Sequence, residues 1–194
     1  MKLAIIKYNA GNIQSVSFAL ERLGVDFTIT DNAEEIRKAD KVIFPGVGEA
    51  STTMKYLRDK KLDQIIVSLK QPVLGICLGM QLMCSYSEEN NTDCLGIFNE
   101  TVKLFIPQGD MKVPHMGWNN LAIKDSWLTP ELENKYAYFV HSYYVPMNTN
   151  TSAVTEYINP FSAAMHKDNF YAVQFHPEKS AQAGELVLKS FLNV

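Results

Sequence analysis

Pro72-Val73-Leu74-Gly75-Ile76-Cys77-Leu78-Gly79-Met80-Gln81-Leu82-Met83-Cys84-Ser85 is the stretch whose reading decides the fold. An apolar run from Val73 to Ile76 reaches a cysteine set between Gly75 and Gly79, and apolar residues at 78, 82 and 83 resume at helical spacing. The pattern predicts a strand, a sharp turn and a helix, with a thiol at the turn. Gly-x-Cys-x-Gly is the spacing of a nucleophile elbow with Cys in place of Ser. Such an elbow holds its nucleophile in a strained backbone conformation, and small neighbours let strand and helix pass close together. A thiol at a helix N-terminus also feels the positive end of the helix dipole, which favours thiolate. A buried cysteine in an ordinary β-to-α turn carries the same local pattern, so this stretch alone leaves both readings open.

Upstream of the elbow the chain alternates. Leu3–Tyr8 is a nearly continuous apolar run, as in a strand buried on both faces. Turn residues follow at 9–12, then a helix over Ile13–Leu23 that Gly24 stops. Strands are expected at Phe27–Thr30 and Lys41–Phe44, with a short helix between them capped by Asp31 or Asn32, and helices over Ser51–Lys60 and Leu62–Lys70. This alternation predicts an α/β fold: a flavodoxin-like, open, twisted, mostly parallel sheet flanked by helices. Downstream the character changes. After a polar loop at Ser87–Asp93 come short runs at Thr101–Ile106, Asn120–Ile123, Tyr136–Val140, Ala153–Tyr157, Ala163–His166 and Phe170–Phe175, read as mixed or antiparallel strands. A helix over Ala181–Leu192, with Ser180 as its cap, closes the chain. No linker divides residues 1–194, which are expected to form one domain.

Composition narrows the function classes. The 194 residues are 46% hydrophobic and 20% charged, as in a globular chain with a sizeable core. A formal net charge of −3 without a basic cluster argues against nucleic-acid binding. No apolar run approaches the length of a membrane span, and the N-terminus lacks a secretory pattern. Cys77, Cys84 and Cys94 are an odd number at unpatterned spacing, which argues for a reducing cytoplasm and against a zinc cage.

A cysteine nucleophile needs a base, and the base an orienter. Of four histidines, His176 fits best. It ends the run Tyr171-Ala172-Val173-Gln174-Phe175, Pro177 stops the strand, and Glu178 lies two residues on, within reach of the imidazole. An acyl-transfer site also needs oxyanion donors. The Leu78 N–H comes with the elbow, and a second can come from Gly46-Val47-Gly48 at the end of the neighbouring strand.

Pro45-Gly46-Val47-Gly48, Gly75-Ile76-Cys77-Leu78-Gly79-Met80-Gln81 and Phe175-His176-Pro177-Glu178-Lys179-Ser180 together resemble the class I, triad-type glutamine amidotransferases. Tyr8-Asn9-Ala10-Gly11-Asn12, Pro114-His115-Met116-Gly117-Trp118-Asn119 and Phe139-Val140-His141-Ser142-Tyr143 narrow the resemblance to the glutaminase subunits of imidazole glycerol phosphate synthases in histidine biosynthesis. The resemblance implies that Cys77 attacks the side-chain amide of glutamine, that His176 moves the protons, and that Glu178 orients His176. It implies oxyanion donors at Leu78 and at Val47 or Gly48. Glutamine would be held by Gly48, Ser142, Tyr143 and the Gln81 side chain. It implies no cofactor and no metal, and as partner a (β/α)8-barrel cyclase in a heterodimer, which receives the ammonia. Asn12, Met116, Trp118 and Lys179 are the expected interface residues. Two alternatives stay open: the glutaminase of another synthase, of the anthranilate or aminodeoxychorismate type, and a cysteine hydrolase on a similar sheet.

Overall fold

The computed structural model describes residues 1–8 and 12–194. The first half runs β1 (Leu3–Ile6), α1 (Ile13–Arg22), β2 (Phe27–Thr30), α2 (Ala33–Lys38), β3 (Lys41–Phe44), α3 (Ala50–Asp59), α4 (Leu62–Ser68), β4 (Val73–Ile76) and α5 (Leu78–Leu82). The second half runs β5 (Cys84–Ser87), β6 (Thr92–Asp93), β7 (Phe98–Leu104), β8 (His115–Asn120), β9 (Ala122–Ile123), β10 (Tyr136–His141), β11 (Tyr143–Tyr144), β12 (Thr151–Tyr157), β13 (Asn159–Lys167), β14 (Phe170–Val173) and α6 (Ala181–Leu192). Asn32, not Asp31, caps α2: its side-chain oxygen accepts from the Glu34 and Glu35 amides at 2.9 and 3.2 Å. Of the turn expected at 9–12, Asn9, Ala10 and Gly11 lie outside the described residues.

An eight-stranded sheet has the order β2-β1-β3-β4-β14-β13-β12-β9. Its pairs from β2 through β14 are parallel and those from β14 to β9 antiparallel. The parallel half has the flavodoxin-like order, with ligands expected beyond the carboxyl ends of its strands. Those ends bring three distant segments together. β3 delivers Pro45–Gly48, β4 delivers Cys77, and β14 delivers Gln174–Glu178.

Both faces of the inner strands β1, β3 and β4 are covered, which is why they read as near-continuous apolar runs, whereas the edge strand β2 alternates Phe27, Thr28, Ile29 and Thr30 and is partly exposed. Leu3 and Ile5 of β1 meet Val16 and Leu20 of α1 and Val187 and Phe191 of α6. Ala4 and Ile6 meet Ile36 of α2, Met54 and Leu57 of α3, and Leu62 and Ile66 of α4. Each fully buried Leu, Ile or Phe contributes about 1.5–3 kcal/mol, so the sheet is the rigid base of whatever stands on its rim.

Two details correct the sequence reading. The helix leaving Cys77 stops at Leu82, and β5 begins at Cys84, so Met83 packs into the core as a strand lead-in. The polar stretch 87–93 is not a plain loop: it holds the end of β5, a 3-10 turn at Glu89–Asn91 and β6. The short β11 and most of β8 fall outside the expected runs, β8 because Gly117, Asn119 and Asn120 are poor strand formers. β8 pairs with β10 in a two-stranded ribbon whose inner residues, His115, Ala137, Phe139 and His141, are buried. Its outer face carries Met116, Trp118, Tyr138 and Val140.

Candidate active site

Cys77 sits at φ 52°, ψ −108°, a region that non-glycine residues avoid. The surroundings hold it there. Its N–H donates to the Val173 carbonyl of β14 at 2.8 Å, and its own carbonyl accepts from the Gln81 amide at 3.2 Å. A Cβ on Gly79 would overlap the Phe44 carbonyl oxygen of β3, so only glycine lets α5 start so close to the sheet. The Gln174 side-chain amide donates to the Cys77 sulfur at 3.7 Å, and the sulfur lies 4.0 Å from the Val140 carbonyl.

His176 follows β14, and Pro177 turns the chain into a 3-10 turn, Pro177–Lys179. That turn folds Glu178 back, so that Oε1 accepts from His176 Nδ1 at 2.8 Å, with the two side chains only 1% and 2% exposed. Glu178 Oε1 also accepts from the Asn12 side-chain amide. Ser180 does not cap α6 through its side chain. Its hydroxyl donates to the His176 carbonyl at 2.7 Å and accepts from the Tyr138 N–H at 2.9 Å, stitching the turn to β10. A Cβ on Gly184 would overlap the Pro177 carbonyl, so α6 presses directly on the turn.

Burial would lower the His176 pKa, but the Cys77 sulfur and the Glu178 carboxylate outweigh it and push the imidazole up to about 10. The other ring nitrogen, Nε2, is buried without a nitrogen or oxygen partner among the described residues. Cys77 and His176 line one cavity of about 400 Å³ with Val47, Gly48, Leu78, Gln81, Glu89, Pro114, Val140, His141, Ser142 and Tyr143. The structure thus brings together the proposed nucleophile, base and orienter, both candidate oxyanion segments and all the expected substrate contacts.

Two expectations need adjustment. The Leu78 N–H is engaged by the chain itself: it donates to the Gly46 carbonyl at 3.3 Å. Gly48, at φ 135°, lies on the exposed loop beside it. Asn12, expected at an interface, instead spends its amide on Glu178. Gln81 is partly committed too, its amide nitrogen donating to the Tyr143 carbonyl at 2.9 Å and to Gln174 Oε1 at 3.0 Å. Met116 and Trp118 are exposed, at 63% and 53%. Trp118 faces Tyr138 across the ribbon, with ring centroids 5.9 Å apart. The exposed Lys179 places its ammonium 6.0 Å from the same Tyr138 ring.

The sequence reading missed Gln174, Glu89, Tyr138 and the buried pair His115 and His141. Gln174 had a readable signal, a lone polar residue inside an apolar strand run. Burial, first, and the Glu49 charge raise the Glu89 pKa, against a hydrogen bond from the Ala50 N–H. Burial, with the Cys77 charge behind it, raises the Tyr8 phenol far above its ordinary value, so it remains a neutral donor to the Pro45 carbonyl that begins the Gly46–Gly48 loop. Among the described residues no cluster of three His, Cys, Asp or Glu side chains is placed to hold a metal, and no helix is long and apolar enough to cross a membrane.

Residues 4–193 match the family described as "Glutamine amidotransferase class-I". The chain is 60% identical to the imidazole glycerol phosphate synthase subunit HisH of Bacteroides fragilis (strain YCH46), over all of both chains. It is 49% identical to the subunit of the same name from Pasteurella multocida (strain Pm70), over 98% of this chain and 96% of that one. The fold resembles a solved glutamine amidotransferase at TM-score 0.76 and 16% identity, covering 98% of this chain and 97% of that chain. It also resembles a glutamine amidotransferase from Thermotoga maritima at TM-score 0.64 and 14% identity, covering 100% and 83%.

Proposed function

This chain belongs to the class-I glutamine amidotransferase family, and on that premise we propose that it is the glutaminase subunit of an imidazole glycerol phosphate synthase. The observation that carries the chemistry is the buried His176–Glu178 pair beside a cysteine held in a left-handed elbow. The Cys77 thiolate attacks the side-chain carbonyl carbon of glutamine, and the carbonyl π electrons move to oxygen. The tetrahedral intermediate collapses with loss of the amide nitrogen, which takes its proton from the His176 imidazolium and leaves as ammonia. His176, now neutral, takes a proton from water as that water attacks the thioester, and glutamate and the thiolate are released. Glu178 favours the imidazolium and fixes the ring so that Nε2, not Nδ1, does the proton transfer.

The cavity suits the substrate. Glu89 is the carboxylate on its wall and the natural partner for the glutamine ammonium. The main chain at Gly48, Ser142 and Tyr143, with Gln81, offers neutral groups for the remaining polar atoms. An oxyanion on the substrate must compete with the Gly46 carbonyl for the Leu78 N–H. Turnover therefore needs the Pro45–Gly48 loop to turn, and its glycines allow it. We assign that turn to the docked partner, a (β/α)8-barrel cyclase that receives the ammonia and makes imidazole glycerol phosphate and aminoimidazole carboxamide ribotide. The outer face of the β8–β10 ribbon, with Met116, Trp118 and Tyr138, and the neighbouring Lys179 form the docking face. Trp and Tyr are frequent anchors of such contacts. Residues 1–194 act as one glutaminase domain, and three free cysteines fit a reducing cytoplasm.

The test is synthesis by the purified chain mixed with its cyclase and the nucleotide substrate. Glutamine should support synthesis with the native chain and not with Cys77→Ala, whereas added ammonia supports both. Glutamine-dependent synthesis surviving in Cys77→Ala removes Cys77 as nucleophile, and synthesis only with a chorismate-using partner removes the assignment.

A further inference from the structure

Two histidines outside the triad are buried beside the cavity with nothing in the reaction to do. His115 of β8 is 3% exposed and His141 of β10 is 6% exposed. His115 is sandwiched between Tyr157, at 4.0 Å between centroids, and Phe139, at 4.9 Å. The His115 and His141 rings meet edge-on at an interplanar angle of 64°, with His115 Nδ1 and His141 Nε2 3.0 Å apart. The other nitrogen of His141, Nδ1, is 2.8 Å from the Tyr143 carbonyl oxygen. The other nitrogen of His115, Nε2, is 3.4 Å from the Asn119 side-chain amide nitrogen.

The hydrogens of this chain can be placed by exclusion. A carbonyl oxygen only accepts, so His141 Nδ1 carries a hydrogen. Burial, the largest effect, lowers the pKa of His141 to about 3, with the charges of His115 and His176 adding to it against the hydrogen bond to Tyr143. Burial lowers His115 to about 4. Both rings are therefore neutral at neutral pH, and His141 Nε2 is a lone pair. His115 must then carry its hydrogen on Nδ1 and present a lone pair at Nε2 to the Asn119 amide. Asn119 is oriented independently: its nitrogen also donates to the Glu156 carbonyl at 2.9 Å, and its oxygen accepts from the Asn120 N–H at 2.9 Å. One set of tautomers satisfies every contact, and donation runs one way, from Asn119 through His115 and His141 to the Tyr143 carbonyl.

That carbonyl is where the relay meets the cavity. It accepts from His141 and also from Gln81 Nε2 at 2.9 Å, so both of its lone pairs are used. The Ser142 carbonyl accepts from the Phe105 N–H at 3.0 Å. The peptides on either side of Tyr143 are thus pinned from behind while Ser142 and Tyr143 face the pocket. We propose that His115 and His141 are positioning residues for substrate: a one-way pair of neutral imidazoles that sets the Ser142–Tyr143 main chain for the amino-acid end of glutamine. This rests on the reading of the cavity as a glutamine site. Neither ring touches the reacting atoms, so loss of the relay weakens binding and spares the chemical step.

The experiment is steady-state glutamine hydrolysis by the complex of this chain with its cyclase, for the native chain, His141→Phe and His141→Asn. Phenylalanine keeps the ring volume and removes the donor, and asparagine keeps an N–H close to the Nδ1 position. We expect KM for glutamine to rise about tenfold in His141→Phe, the loss of about one buried hydrogen bond, with kcat within about threefold of native. In His141→Asn much of that KM is expected to return. A KM within twofold of native in His141→Phe, or a loss confined to kcat, overturns the proposal. A native complex that hydrolyses no glutamine overturns the glutamine reading itself. Because His141→Phe can fail to fold, long-range 1H–15N correlation spectra of the native chain give a second measurement. Both histidines should show the neutral Nδ1–H tautomer at pH 7, and an Nε2–H tautomer or an imidazolium at either position overturns the relay regardless of the kinetics.

Discussion

Acidification from pH 6.5 to pH 5.0 should destabilise this chain through the same two histidines, by an amount that can be worked out in advance. In the unfolded chain each titrates at the ordinary 6.5, whereas burial holds His115 at about 4 and His141 at about 3 in the fold. The unfolded state therefore binds more protons throughout this window, and stability must fall as pH falls. At pH 6.5 the unfolded imidazole is half protonated, and at pH 5.0 it is almost fully protonated while the folded rings remain mostly neutral. Integration gives about 1.6 kcal/mol for each ring and about 3 kcal/mol for both. His176 has the opposite sign. Its folded pKa, about 10, lies above 6.5, so its contribution is nearly complete below pH 6.5 and is lost as pH rises toward 10. It offsets only about 0.4 kcal/mol in this window. Glu49, held at about 2 by amide and side-chain hydrogen bonds against its burial, titrates mainly below it. The raised carboxyls of Glu89 and Glu100 act with the opposite sign, which is why the window stops at pH 5.0. The assay is urea unfolding at the two pH values. His115→Asn, which keeps a donor near Nδ1, should lose about half of the pH dependence. A native chain whose unfolding free energy changes by less than about 1 kcal/mol, or a variant with the native dependence, refutes neutral burial of the pair.

Other outcomes follow from the site. Glu178→Gln removes a buried carboxylate 2.8 Å from the imidazole. A charge-assisted bond of about 1.5–3 kcal/mol is lost, so kcat for glutamine should fall about 10- to 100-fold, read by glutamate release. Glu89→Gln should raise KM for glutamine about tenfold with kcat nearly unchanged, and an unchanged KM would remove Glu89 as the ammonium partner. Trp118→Ala should weaken the complex with the cyclase by at least about tenfold in Kd, measured by calorimetry, while its thermal unfolding stays close to native because the ring is more than half exposed.

The parallel half of the fold was legible because its inner strands are apolar runs, its longer helices carry periodic apolar faces, and Asn32 marks the start of α2. Phe27–Thr30, Lys41–Phe44 and Ala181–Leu192 lie where the pattern put them. The second half was less legible for a physical reason. β8 consists of residues chosen for what they face, with His115 turned inward onto Tyr157 and Trp118 outward, and its Gly and Asn residues hide the strand. Cys77, His176 and Glu178 could be picked out because two local motifs carry them. Gln174 left a trace as the one polar residue of its strand run, but Glu89 and the His115–His141 pair left none, since their contacts join segments far apart in sequence. Ser180 stands at the N-cap position of α6, but its hydroxyl is spent on the Tyr138 N–H and the His176 carbonyl instead of a helix amide.

The strand order also fixes when the site can exist. β4 pairs with β3 on one side and with β14 on the other, and β14 is made almost a hundred residues after Cys77. While the ribosome is still adding the second half, Val73-Leu74-Gly75-Ile76 has an open hydrogen-bonding edge. An apolar edge of this kind invites pairing with other nascent chains. The Cys77 thiol is likewise made almost a hundred residues before His176, which lines the same cavity. The centre of the sheet therefore closes only when residues 170–178 arrive, and slow codons before that segment should cost more soluble protein than slow codons after it.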